Sequence, residues 1–222
     1  MQRSSRQHYC YLLAIVVSLY EENVVPKIVD LACGSKNMNR WRQKAVVGLF
    51  GEIVEIGFGS GRNVELYPSE LKKVFAVEPS EKATTMASGR IASSSVQIER
   101  VGLVGEDLAI TDNSCDGALC TFTLCTVSDP VKVLSEIRRV LKPGASFHFL
   151  EHGLSPDANV AKWQNRLNGF EQKIAGGCNL NRDPLALLKA AGCEVEIIRQ
   201  RYAKGPKPWS YFTVGTARWP NG

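Results

Sequence analysis

The segment Glu55-Ile56-Gly57-Phe58-Gly59-Ser60-Gly61 sets three glycines at alternate positions behind an acidic residue. Glycines spaced in this way let a backbone turn sharply and approach a ligand closely. Twenty-one residues beyond Gly57, Glu78 ends a second apolar run, Val74–Val77. A carboxylate at that place accepts both hydroxyls of a ribose, so loop and acid together predict a cofactor that carries a nucleoside. A dinucleotide fingerprint would need its third glycine at position 62. Arg62 stands there instead. The spacing is E-x-G-x-G-x-G, with Glu55 inside the strand, and this separates the loop from the nicotinamide type.

The elements that must hold these residues alternate. Short β-branched runs at Glu52–Ile56, Val74–Val77, Val96–Val101, Asp116–Thr121 and Ser146–Leu150 read as strands. Between them, Ser80 caps a helix running to Ile91, and Asp129-Pro130 opens another that reaches Leu141. Val133, Leu134, Ile137, Val140 and Leu141 share one face of the latter, which Lys142-Pro143-Gly144 ends. Asp183-Pro184 opens a further helix closed by Gly192. Cys193–Arg199 and Phe212–Arg218 are late strands around the turn Gly205–Pro208. A helical start is also expected just behind the glycine loop. The predicted fold is α/β: a doubly wound, mostly parallel seven-stranded sheet with an antiparallel edge strand. Ligands in such sheets bind at the carboxyl ends of the strands.

Composition agrees with one ordinary globular domain. The chain has 222 residues, 44% apolar and 22% charged, which excludes wholesale disorder and low-complexity architectures. Its 27 basic and 22 acidic residues leave a net charge of only +5, without a long basic run. A protein built to grip phosphate backbones would carry more. The seven cysteines include no C-x-x-C pair, so a zinc ribbon or a dense disulfide framework is not expected. Tyr9–Tyr20 is almost wholly apolar, but about twelve residues do not span a bilayer as a helix. Glu21-Glu22-Asn23 follows where a signal peptide would show small residues. Residues 1–20 are therefore read as an apolar extension, with Tyr9–Tyr20 a flap over a pocket mouth or loosely ordered, and 21–222 as the main domain. The expected location is cytoplasmic, with peripheral membrane contact through the N-terminus open but not favoured.

From Glu52 to Leu150 the ordered motifs EIGFGSG, AVEP, GEDLAITDNSCDGAL and VLKPGASFHFLEH resemble the class I S-adenosylmethionine-dependent methyltransferases. A closer resemblance runs from about Ser18 to Arg218. VVPKIVDLACG, CTFTLCTV, LEHG and GGCNLNRDPLALLKAAGC are similar to the thiol S-methyltransferase-like group. The resemblance implies that Gly57, Gly59 and Gly61, with Glu55, Phe58 and Asn63, cradle the methionine end of S-adenosylmethionine. It puts Glu78 and Pro79 at the ribose, Gly105, Glu106 and Asp107 beside the adenine, and Thr121 at the floor.

Methyl transfer is an in-line displacement in which the protein positions the acceptor and excludes water. An amine or thiol acceptor must also lose its proton. His152, just past the fifth strand, is the expected catalytic base, whereas His148 inside that strand reads as structural. Phe122, Cys125, Asn179 and Arg182 are the expected acceptor contacts, although Cys120 and Cys125 also read as apolar fillers. Thr121-Phe122-Thr123-Leu124 lacks the Asp/Asn-Pro-Pro-aromatic device of base-modifying enzymes, so a nucleic-acid partner is not expected. No metal is expected either. The leading reading is methylation of a small thiol or hydrogen sulfide by a monomer or homodimer. A lipid amine or quinone-like acceptor, or a cofactor-binding module without turnover, stands as the alternative.

Overall fold

The computed structural model describes residues 20, 22–102 and 104–220. The expectations for residues 1–19, including the flap, lie outside the described residues. Seven strands form one sheet in the order β3-β2-β1-β4-β5-β7-β6. They are β1 (Gly51–Ile56), β2 (Leu71–Val77), β3 (Gln97–Gly102), β4 (Cys115–Thr121), β5 (Leu141–His152), β6 (Glu194–Tyr202) and β7 (Tyr211–Arg218). Strands β1 to β5 pair in parallel, while β7 runs antiparallel to both β5 and β6. The antiparallel edge is thus a β6–β7 pair with β7 as its inner strand.

The helices are α1 (Val25–Cys33), α2 (Lys36–Val46), α3 (Glu81–Ala92), α4 (Pro130–Val140), α5 (Ala158–Ile174), α6 (Pro184–Ala190) and α7 (Lys207–Ser210). Burial on both faces explains the near-continuous apolar strands. On one face Val54, Ile56, Ala118, Cys120, Phe147 and Phe149 pack against Val133, Leu134, Ile137 and Val140 of α4. On the other, Ile53, Leu119, Leu150 and Val214 pack against Met38, Trp41 and Ala45 of α2. The expected Asp and Ser caps are formed. Asp129 accepts the N–H groups of Val131 and Lys132, Asp183 those of Leu185 and Ala186, and Ser80 that of Ala83.

Three local expectations are corrected. The glycine loop is followed by a single 3-10 turn, Val64–Leu66, so no helix N-terminus stands behind it. The segment Lys142-Pro143-Gly144 does not separate helix from strand. Strand β5 starts at Leu141, and Gly144, at φ +78°, sits at the irregularity where the β4 pairing shifts register. The turn at Gly205–Pro208 tightens into the short α7. Helices α1, α2 and α5 are additions to the sequence reading.

Among the described residues, no helix is long and apolar enough to cross a membrane. Glu136 of α4 ties that helix to the β3–β4 connection, accepting the Leu108 N–H and two bonds from Arg139. The Arg139 guanidinium holds the Glu136 carboxyl at about 2. A carboxyl depressed on folding contributes stability above its unfolded pKa, and this is lost as pH falls through the folded value. Glu136→Gln should therefore lower the denaturation midpoint at neutral pH, and the gap should close between about pH 4.5 and 2. A gap unchanged across that window would remove Glu136 from the acid limb.

Candidate functional site

The carboxyl ends of β1, β2 and β4 surround a cavity of about 440 Å³, within the range usual for small-molecule sites. Gly57, Phe58, Gly59, Glu78, Pro79, Gly105, Glu106, Thr121 and Phe122, all named from the sequence, line it. Gly57, Gly59 and Gly61 all adopt positive φ, at +72°, +58° and +74°. A Cβ on Gly57 would land on the Thr123 side chain, and one on Gly105 would meet Ile56 at 2.8 Å. Both glycines are thus required by close approach of neighbouring atoms. Glu78 Oε2 accepts the Gly59 N–H and Oε1 accepts the Ser80 N–H, each at 2.8 Å. Burial raises its carboxyl pKa, and the two backbone N–H groups oppose that shift.

Four expected cofactor residues fall elsewhere. Gly61 packs in the turn, against Phe58, Val64 and Ala87, and Asp107 is exposed on the loop after β3. Glu55 and Asn63 are buried in the wall rather than in the lining, because their polar atoms answer one another. Asn63 Nδ2 donates to Glu55 Oε1 at 2.8 Å and to Thr121 Oγ1 at 3.0 Å; Tyr67 Oη donates to Glu55 Oε2 at 2.5 Å. Burial pushes the Glu55 carboxyl up to about 7, against the pull of Tyr67 and Asn63. Arg42 of α2 completes the network, donating from Nη1 to Asn63 Oδ1 and Thr121 Oγ1. It also lines the cavity, and its buried Nε has no partner among the described residues. Sequence reading missed Arg42, since only the periodicity of α2 (Met38, Trp41, Arg42, Ala45) pointed inward.

Helix α1 roofs the cavity with Val25, Pro26, Val29, Asp30 and Cys33. Asp30 clamps it to the glycine loop through bonds from Ser60 and from the Arg62 guanidinium, which lowers the Asp30 pKa. Asp30→Ala should release the roof. Cofactor dissociation is expected to speed up several-fold in stopped flow, on the scale of one partly exposed ion pair. An unchanged rate would mean that the roof does not gate the cavity.

A second group lies at the ends of β4 and β5. His152 Nε2 is 2.9 Å from Cys178 Sγ, and Cys178 Sγ is 3.6 Å from Cys125 Sγ. The bond from Cys178 and the nearby His152 hold the Cys125 thiol well below the usual range. Burial disfavours the charged His152, but the Cys125 sulfur outweighs it together with Glu151, bringing His152 up to about 8. His152 is therefore not open at Nε2 to an acceptor, as a free base would be; its buried Nδ1 has no partner among the described residues. Cys178 was not singled out in the sequence. His148 is structural, as expected, facing the Ala45 carbonyl and the Ser146 hydroxyl.

The expected acceptor contacts Asn179 and Arg182 line an outer cleft of about 1130 Å³ that shares Pro79, Ser80, Thr126, Val127, Ser128 and Gly176 with the inner cavity. Apart from the bond that Asn179 Oδ1 accepts from Gln172 of α5, their described hydrogen bonds go to loops. Arg182 Nη1 donates to the Leu124 and Val127 carbonyls, and Asn179 Nδ2 to those of Cys125 and Gly177. Glu151 Oε1 accepts the Thr123 and Leu124 N–H groups, and burial pushes that carboxyl up to about 8. Phe122, at φ +58°, packs edge-on against Phe212 and beneath the Arg42 guanidinium. Cys120 is fully buried with its thiol on Glu151, well away from the reactive range, as an apolar filler would be.

A family model described as a methyltransferase domain matches residues 54–149. Thiol S-methyltransferase TMT1B of Rattus norvegicus is 34% identical over 168 residues, 73% of this chain and 66% of the rat protein. The Homo sapiens protein of the same name is 34% identical over 179 residues, 78% of this chain and 71% of the human protein. Among solved structures, a SAM-dependent methyltransferase from Thermotoga maritima, described as a possible histamine N-methyltransferase, superposes with a TM-score of 0.61. It is 23% identical, with 90% of this chain and 97% of that chain covered, a likeness of fold alone. The glycine cradle, the acid at the end of β2 and the relatives agree: the chain belongs to the S-adenosylmethionine-dependent methyltransferases, in the group of the thiol S-methyltransferases.

Proposed function

We propose that the protein methylates a small thiol, hydrogen sulfide included, and that residues 21–222 form its catalytic domain. The observation that carries this reading is the placing of a nucleoside cradle and a partly buried thiol–imidazole group at neighbouring strand ends. Bound S-adenosylmethionine supplies a methyl group on a sulfonium that is its own leaving group. The residues present fit it: Gly57, Gly59 and Gly105 present bare backbone to the cavity, and Glu78 lies at its rim. In this reading Glu78 accepts the ribose hydroxyls and Gly105 with Glu106 borders the adenine. Arg42, which lines the cavity and whose buried Nε has no partner among the described residues, would hold the methionine carboxylate. Glu55 and Asn63 act at one remove by fixing Arg42 and Thr121.

On the acceptor side, Phe122 and the α1 roof exclude water, and His152 with its two thiols favours the acceptor as thiolate. Asn179 and Arg182 hold the loops that carry this group. Transfer of a labelled methyl group to a panel of thiols, amines and quinols tests the proposal. Thiols should be methylated far faster than either other class. Preference for an amine or quinol would move the chemistry to the alternative acceptors, and cofactor binding without any transfer would leave a binding module.

A further inference from the structure

Cys125, His152 and Cys178 offer two sulfurs and one ring nitrogen that all lie within 4.8 Å of one another. They come from three different segments, the loops after β4 and α5 and the last residue of β5. His152 is held by the pairing of β5 with β7, and the two loops are fixed from behind. Glu151 pins the start of the β4 loop by two N–H bonds, and Arg182 holds its Leu124 and Val127 carbonyls. Asn179 ties the α5 loop to Cys125 through both its backbone N–H and its side chain. Such a preorganised set is what a metal site requires of a protein.

In a tetrahedral site with Zn–S of about 2.3 Å and Zn–N of about 2.0 Å, two ligand sulfurs stand roughly 3.8 Å apart. A sulfur and a nitrogen then stand roughly 3.6 Å apart. The Cys125–Cys178 sulfur pair, at 3.6 Å, already has this spacing. The His152–Cys178 pair, at 2.9 Å, must open by roughly 0.7 Å to match it. Coordination through Nε2 leaves the ring proton on Nδ1, which has no hydrogen-bond partner among the described residues. Three protein ligands leave the fourth position open, the pattern of catalytic rather than structural zinc.

We propose that Cys125, His152 and Cys178 bind one zinc ion whose open position takes the sulfur of the thiol acceptor. The site stands on the geometry alone; only the identity of its fourth ligand rests on the proposed thiol methylation. The chemistry balances without a redox partner. The acceptor S–H bond breaks, its proton passes to water, and sulfur keeps the electron pair on the metal. That pair forms the new sulfur–methyl bond while the carbon–sulfonium bond breaks. The resulting neutral thioether binds zinc weakly and leaves.

The test uses the full chain under reducing conditions. Competition with a chromophoric chelator should show one equivalent of Zn²⁺ bound, and Co²⁺ in its place should give thiolate-to-cobalt absorption. Cys125→Ser and Cys178→Ser should each lose that absorption, while Cys193→Ser keeps it. Calorimetric cofactor affinity checks that each variant is folded. Adding a thiol should shift the cobalt bands, and stripping the metal should lower thiol methylation at least tenfold until Zn²⁺ is returned. Absence of stoichiometric binding, or binding indifferent to Cys125 and Cys178, overturns the site. Full turnover by stripped protein overturns its role. Metal binding that depends on both cysteines while no thiol is methylated leaves the site standing and overturns the acceptor reading instead.

Discussion

Glu78→Ala should weaken S-adenosylmethionine binding by about 1–3 kcal/mol, the scale of lost charge-assisted hydrogen bonds. That corresponds to a rise in Kd of roughly 5- to 150-fold. The carboxylate has two engagements: it accepts the Gly59 and Ser80 N–H groups, and at the cavity rim it has lone pairs left for a ribose. Alanine removes both, so part of the loss belongs to a loosened glycine loop. Glu78→Gln separates the two. Its amide oxygen still accepts one N–H, but its nitrogen no longer accepts anything. If the loss is mainly at the ribose, a cofactor analogue lacking the ribose hydroxyls should bind wild type and Glu78→Ala almost equally. Undiminished affinity of Glu78→Ala in calorimetry would remove this residue from the cofactor site.

The lining of the inner cavity was legible because its chemistry is local. Gly57, Gly59 and Glu78 come to it through backbone shape and strand ends, and those are written in contiguous residues. Even there, pattern alone did not separate lining from support: Glu55 and Asn63 spend their polar atoms on Tyr67, Thr121 and Arg42 inside the wall. Helix α5 was invisible for a different reason. It buries Gln164 and Glu171 where an amphipathic pattern demands apolar residues, and leaves Trp163 and Phe170 exposed. Gln164 is tolerated inside because it bonds the Ser155 N–H and the Gly153 and Pro208 carbonyls. Cys178 was hidden by distance along the chain. No C-x-x-C spacing marks it, yet the topology brings it to His152 and Cys125. The seven-stranded order followed from alternating elements, whereas the inner position of β7 depends on β5–β7 pairing between distant segments.

His152→Ala should lower thiol methylation at neutral pH by about 10²-fold or more, the scale of a lost acid–base partner. Cofactor affinity should hardly change, since His152 lies outside the cavity lining. The argument turns on the protonation state of the acceptor. A free thiol with a pKa near 8.5 is mostly protonated at pH 7 and mostly thiolate above pH 9. Whatever His152 does to favour the thiolate, as a base or as a ligand, becomes redundant once the solvent supplies that anion. The deficit of the variant should therefore shrink as pH rises through the pKa of the acceptor. A more acidic aromatic thiol should show a smaller deficit already at pH 7, with the crossover moved down by its own pKa difference. A deficit constant at every pH and for every thiol would mean that His152 only positions the loops of Cys125 and Cys178. No deficit at all would take the reaction away from this end of the sheet, and with it the reason for reading the buried thiols as part of the site.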